Sequence, residues 1–117
     1  EAQAVQDAAE TLHENFVKRA FQTDSICQLA TASPHPVLVC GDFNSLPSSY
    51  TYHRFSESLK DGFKTGGHGY MYTYRYGKRM LRIDYAFHSP ELECTDYYSP
   101  NLDLCSDHNP VIFTVKY

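Results

Sequence analysis

Val5, Ala9, Leu12, Phe16 and Ala20 recur at steps of three and four, the spacing of one helical stripe, while Gln, Glu, Lys and Arg fill the other faces. The spacing predicts an amphipathic helix. A second short helix is predicted over 25–32, with Asp24 as its N-cap and Ile26 and Leu29 inside, ending before Pro34 and Pro36. Beyond these prolines the apolar positions fall into short, aromatic, β-branched runs, predicting strands over 37–40, 70–76, 81–87, 92–98 and 111–117. Between the first two, Ser48 or Ser49 can cap a short helix within 48–58 that carries Tyr52, Phe55 and Leu59 on one side. The chain therefore divides into a helical part, 1–33, and a β-rich part, 34–117, without internal repeats or low-complexity tracts.

A chain of 117 residues with 42% hydrophobic content is enough for one compact domain. A formal charge of -4 argues against a surface that grips nucleic acid as a whole, because such binding needs a positive field. No apolar stretch approaches the roughly 20 residues that cross a bilayer, and no charged-then-apolar leader opens the chain, so it reads as soluble. It starts at Glu1 inside a helical pattern, which suggests a piece of a longer protein. Cys27, Cys40, Cys94 and Cys105 are too widely spaced for a zinc site and read as ordinary thiols, with Cys40 in the core. Whether Cys94 and Cys105 meet is not decided by spacing.

Three short segments carry chemistry. In Gly41-Asp42-Phe43-Asn44, glycine allows a sharp turn after an apolar run, and Asp42 and Asn44, two apart, point the same way if the chain stays extended. A carboxylate can orient or deprotonate a water, and an amide can donate to a phosphate oxygen. The same residues also suit an ordinary turn. In the predicted strand 81–87, Arg82 and Asp84 share a face, either as a solvated ion pair or with Asp84 orienting a histidine. Ser106-Asp107-His108-Asn109-Pro110 supplies that histidine at the mouth of the last strand, with Pro110 holding Asn109 extended.

These segments, in this order and with Leu59 to Phe63 and Gly69 to Tyr74 between them, resemble the carboxyl-terminal half of the endonuclease/exonuclease/phosphatase superfamily. The resemblance implies an α+β chain: half of a four-layer α/β/β/α sandwich, with a mostly antiparallel sheet and helices on one face. It implies a phosphoesterase in which Asp42 activates the attacking water and Asn44 holds a non-bridging phosphate oxygen. His108 would stabilise charge on phosphorus, Asp84 would orient His108, and Asp107 would assist at a metal, Mg²⁺ or Mn²⁺, or at the water. Arg82 and Tyr74 join Asn44 and His108 as expected substrate contacts.

The family's other half carries a metal-binding Glu, an Asn and a further His, and none has a counterpart here; Glu1, Glu10 and Glu14 lie on a helix. The chain alone is expected to turn over little or no substrate. Its exposed sheet face is expected to meet the missing amino-terminal half or a second copy. The alternative is a non-catalytic binding domain that keeps the architecture. Tyr70, Tyr72, Tyr74 and Tyr76 alternate beside Arg75, Lys78, Arg79 and Arg82, either as a surface that stacks bases or as an aromatic sheet face. Neither the substrate class nor the location of a parent protein, which in some relatives is membrane-anchored through an upstream segment, is legible.

Overall fold

The computed structural model describes residues 1–76, 81–102 and 105–117. Helix α1 (Ala2–Ala32) is followed by strand β1 (Leu38–Asp42), helix α2 (Tyr50–Ser56), strand β2 (Lys60–Asp61) and helix α3 (Gly62–Gly66). Strands β3 (Asp84–His88), β4 (Glu93–Tyr98) and β5 (Ile112–Lys116) complete the chain. The first sheet has the order β1-β3-β2 and is antiparallel throughout, while β4 and β5 form a separate antiparallel pair.

One face of β3 is aromatic. Tyr85 and Phe87 pack with Tyr52 and Phe55 of α2 and Cys27 of α1, and Val39 and Phe43 close the cluster. The other face, at Ala86, meets Cys94 and Tyr97 of β4, Phe63 of α3 and Phe113 of β5. Helices α1 and α2 thus cover one side of the first sheet and the β4–β5 pair lies on the other, an α+β arrangement. Ser49 caps α2 by accepting from the Tyr52 amide at 3.2 Å. Asp61 does the same for α3, accepting from Phe63 at 3.0 Å.

The structure corrects several expectations. α1 is one helix, without a break at Asp24; the Asp24 carboxylate instead accepts from the Tyr50 hydroxyl at 2.7 Å and from Arg54 at 3.1 Å. Only Thr23 and Cys27 of α1 are buried; Val5 and Leu12 stand in solvent because the body of the fold touches only the second half of the helix, where Phe16, still exposed, meets the ring of Tyr50. Cys40 is exposed, since β1 is an edge strand, and all four cysteines are free. The tyrosine-rich stretch 70–76 forms no strand; Tyr74 alone makes isolated bridges, to Leu81 and to His108. The short elements β2 and α3 were not anticipated, because two- and five-residue elements are too short to show a period. Lys78 and Arg79 lie outside the described residues. Among those residues no helix is long and apolar enough to cross a membrane.

Candidate functional site

The last residue of β1 and the first of β3 are register partners, so Asp42 and Asp84 sit opposite each other at one end of the sheet. Two carboxylates placed this way repel one another. His108 lies between them: its Nδ1 is 2.8 Å from Asp84 Oδ2, and its Nε2 is 3.6 Å from Asp42 Oδ2. An ionised carboxylate only accepts, so Nδ1 carries the proton given to Asp84, and Nε2 faces Asp42. The hydrogen bond to Asp84 is the largest cause that raises the His108 pKa, and the charges of Asp84, Asp42 and Asp107 add to it against partial desolvation.

Each member is held by its local backbone. Asp42 Oδ1 accepts from the Asn44 amide at 2.8 Å, and Asn44 takes a left-handed conformation (φ 47°), which Asn tolerates better than most residues. The buried Tyr85 hydroxyl, its pKa pushed well up by desolvation, reaches the carbonyl of Ser45 at 2.6 Å and so ties down the loop that follows Asn44. The His108 amide donates to Ser106 Oγ at 3.1 Å, and the ring meets Tyr74 edge-on with centroids 5.3 Å apart. A cavity of about 270 Å³ opens beside Asp42 and Asp84 and is lined further by Cys40, Asn109, Val111 and Phe113.

Asp42, Asn44, Asp84, Asp107, His108 and Tyr74 thus gather at one end of the sheet. Asn44 is exposed there, and Asp107 Oδ1 is 3.8 Å from His108 Nε2. Arg82 is not among them. Its guanidinium is buried, 2.9 Å from Asp61 Oδ2, and lies over the rings of Phe63 and Tyr85 at 4.9 Å each. It therefore does not share a solvated face with Asp84. The sequence reading also missed Thr73, fully buried, whose Oγ1 accepts from the amides of Ile83 and Asp84 at 3.0 and 3.1 Å. The one available signal was a small polar residue inside a run of tyrosines.

Asp42, Asp84 and His108 form a group whose ligand atoms lie within 4.8 Å of one another. Asp84 Oδ2 is already engaged by His108, which leaves its Oδ1 and the more exposed carboxylates of Asp42 and Asp107 as the oxygens open to a cation. That donor set suits a hard, hydrated ion that keeps most of its waters and takes one or two carboxylates.

Residues 12–108 match the model of the Endonuclease/Exonuclease/phosphatase family. The chain belongs to this family. Family members are phosphoesterases, and solved structures agree. An endonuclease/exonuclease/phosphatase from Bacteroides vulgatus superposes with a TM-score of 0.73 at 26% identity, over 84% of this chain and 43% of that one. The human Nocturnin catalytic domain with bound sulfate anion gives 0.60 at 25% identity, over 82% of this chain and 41% of that one. A mannosyl-6-phosphatase from Bacteroides thetaiotaomicron shares the fold, with a TM-score of 0.61 at 24% identity over 84% of this chain and 44% of that one. The chain spans less than half the length of each of these structures. None of the curated proteins matches it.

Proposed function

We propose that the chain carries the carboxyl-terminal half of a Mg²⁺-dependent phosphoesterase site, in which water attacks phosphorus in line with the leaving oxygen. The observation behind this reading is the line Asp84–His108–Asp42 at the shared end of β1 and β3. Asp42, with one oxygen fixed by Asn44 and the other open, accepts the proton of the attacking water. Asn44 donates to a non-bridging oxygen. His108, kept protonated more readily by Asp84, stabilises negative charge on the phosphoryl group. Tyr74 supports the imidazole from its edge and borders the substrate. Mg²⁺, with Mn²⁺ as a substitute, would be held by Asp107 and would neutralise phosphate charge when bound.

The names of similar structures, a sugar phosphatase and a protein with a bound tetrahedral anion, support a phosphoester substrate without separating diester from monoester. A non-catalytic binding domain is the second reading, favoured by the absence of any Glu from the acidic group among the described residues. The test is Mg²⁺-dependent hydrolysis of phosphodiester and phosphomonoester substrates by a chain extended to the length of its relatives. Asp42→Asn and His108→Ala are each expected to lower turnover about a hundredfold or more, the scale of losing one transition-state group. Turnover unchanged by both supports the binding domain. The 117-residue chain alone is expected to show little or no turnover.

A further inference from the structure

Asp84 belongs to the first sheet and His108 to the segment that leads into the second. Asp84 opens β3 in the first sheet, whereas His108 lies just ahead of β5, which pairs only with β4. No shared ladder sets the distance between them, yet the hydrogen bond that joins them tolerates only a few tenths of an ångström. Some other group must set the register of the two segments.

We propose that Thr73 is that positioning residue. Its Oγ1 accepts the amides of Ile83 and Asp84, at 3.0 and 3.1 Å, where no strand takes them. Its carbonyl accepts the amide of Asn109 at 2.7 Å. One residue, 0% exposed, therefore grips Asp84 through its side chain and the residue after His108 through its backbone. Neighbours repeat the connection: Thr73 and Tyr74 donate to the Leu81 carbonyl at 2.9 Å each, and Arg75 donates to the Asp107 carbonyl at 3.0 Å. The segment 72–75 is a strap between the two sheets, and the Thr73 hydroxyl is its only side-chain link to the Asp84 backbone among the described residues.

A hydroxyl has two acceptor lone pairs, which is what two converging amides require. Valine has the same shape and none. A residue that merely filled space would be replaced by valine without consequence for the imidazole. A positioning residue would not. The catalytic consequence rests on the phosphoesterase reading, but the geometric one does not.

The test compares Thr73→Val with Thr73→Ser. In the 117-residue chain, nitrogen-15 spectra of the imidazole, recorded above the pH at which His108 loses its second proton so that the ring is neutral, report its tautomer. The wild type and Thr73→Ser are expected to show the proton held on Nδ1, and Thr73→Val a shift toward the mixed tautomers of a free histidine, as in Asp84→Asn. In a chain extended to the length of its relatives, Thr73→Val is expected to lower kcat about 10–100-fold with KM unchanged, the scale for groups that orient a site residue. A folded Thr73→Val variant with the wild-type imidazole spectrum overturns the proposal. If that variant does not fold, amide exchange in the wild type decides. The Asp84 and Asn109 amides both end on Thr73, so they are expected to open together with equal protection, and protection differing tenfold or more overturns the proposal. An extended chain with no activity but an intact imidazole signature would refute the phosphoesterase reading and leave the role of Thr73 standing.

Discussion

His108 stands 2.8 Å from Asp84 and 3.6 Å from Asp42, so one imidazole separates two carboxylates that the β1–β3 register places face to face. The arrangement answers a local electrostatic problem, and in the proposed function the same groups would face the phosphate. Once protonated, the imidazole offsets their repulsion.

In buffer free of divalent cations, His108 is expected to titrate above its ordinary value near 6.5, because Asp84 favours the protonated ring. The sign follows from linkage. A folded pKa raised above the unfolded one contributes stability that is fully present below about pH 6.5 and is lost as pH rises through the folded pKa. Imidazole proton shifts followed against pH would show this, and Asp84→Asn should bring the midpoint down. A midpoint that does not move in Asp84→Asn would mean that the 2.8 Å contact has no influence on the ring.

Arg82→Ala is expected to destabilise the chain by about 3–5 kcal/mol, since it leaves the buried Asp61 carboxylate without its ion partner. Tyr52, which donates to Asp61 Oδ2 at 2.7 Å, would not replace a full positive charge. Urea unfolding at neutral pH measures the loss. A change below about 1 kcal/mol, the ordinary value of a surface pair, would return Arg82 to the surface role that its spacing from Asp84 suggested.

The chain is expected to self-associate, because Val5, Leu12, Phe21 and Leu29 of α1 are each 70% exposed or more and β1 has a free edge. Light scattering should give a mass above that of one chain, and Phe21→Glu should lower it without changing the unfolding midpoint. A monodisperse monomer that binds no hydrophobic dye would contradict this expectation.

Mn²⁺ used as a paramagnetic probe is expected to broaden the signals of Asp42, Asp107 and His108 ahead of those of β4 and β5, with recovery on adding a chelator. Asp107→Asn should raise the concentration needed about tenfold or more, the loss of one charged ligand from a sparse set. Uniform broadening along the chain would count against a cation site there.

Much of this was readable in the residues themselves. The prolines after Ala32 end α1, Ser49 caps α2, and the runs around β1, β3, β4 and β5 announce strands. Each of these signals is local: a ring that cannot continue a helix, a hydroxyl that meets an amide, a side chain that suits a pleat. The tyrosine stretch misled for a related reason. Alternation at 70–76 satisfies a strand pattern, but Thr73 and Tyr74 give their amides to Leu81 in a strap, and no ladder forms. Arg82 misled because period two says which residues share a face, not which face the fold buries.

The amino-acid sequence by itself determined where α2 and strands β1, β3, β4 and β5 fall, the family resemblance and the residue types available for phosphate chemistry, because periodicity, caps and turn residues act over a few positions. Tertiary structure alone decided that Asp42 faces Asp84, that His108 enters between them from the segment ahead of β5, and that Arg82 turns inward to Asp61. Those relations depend on register and on which surfaces pack, and residues up to 66 positions apart, Asp42 and His108 among them, meet only when both are settled.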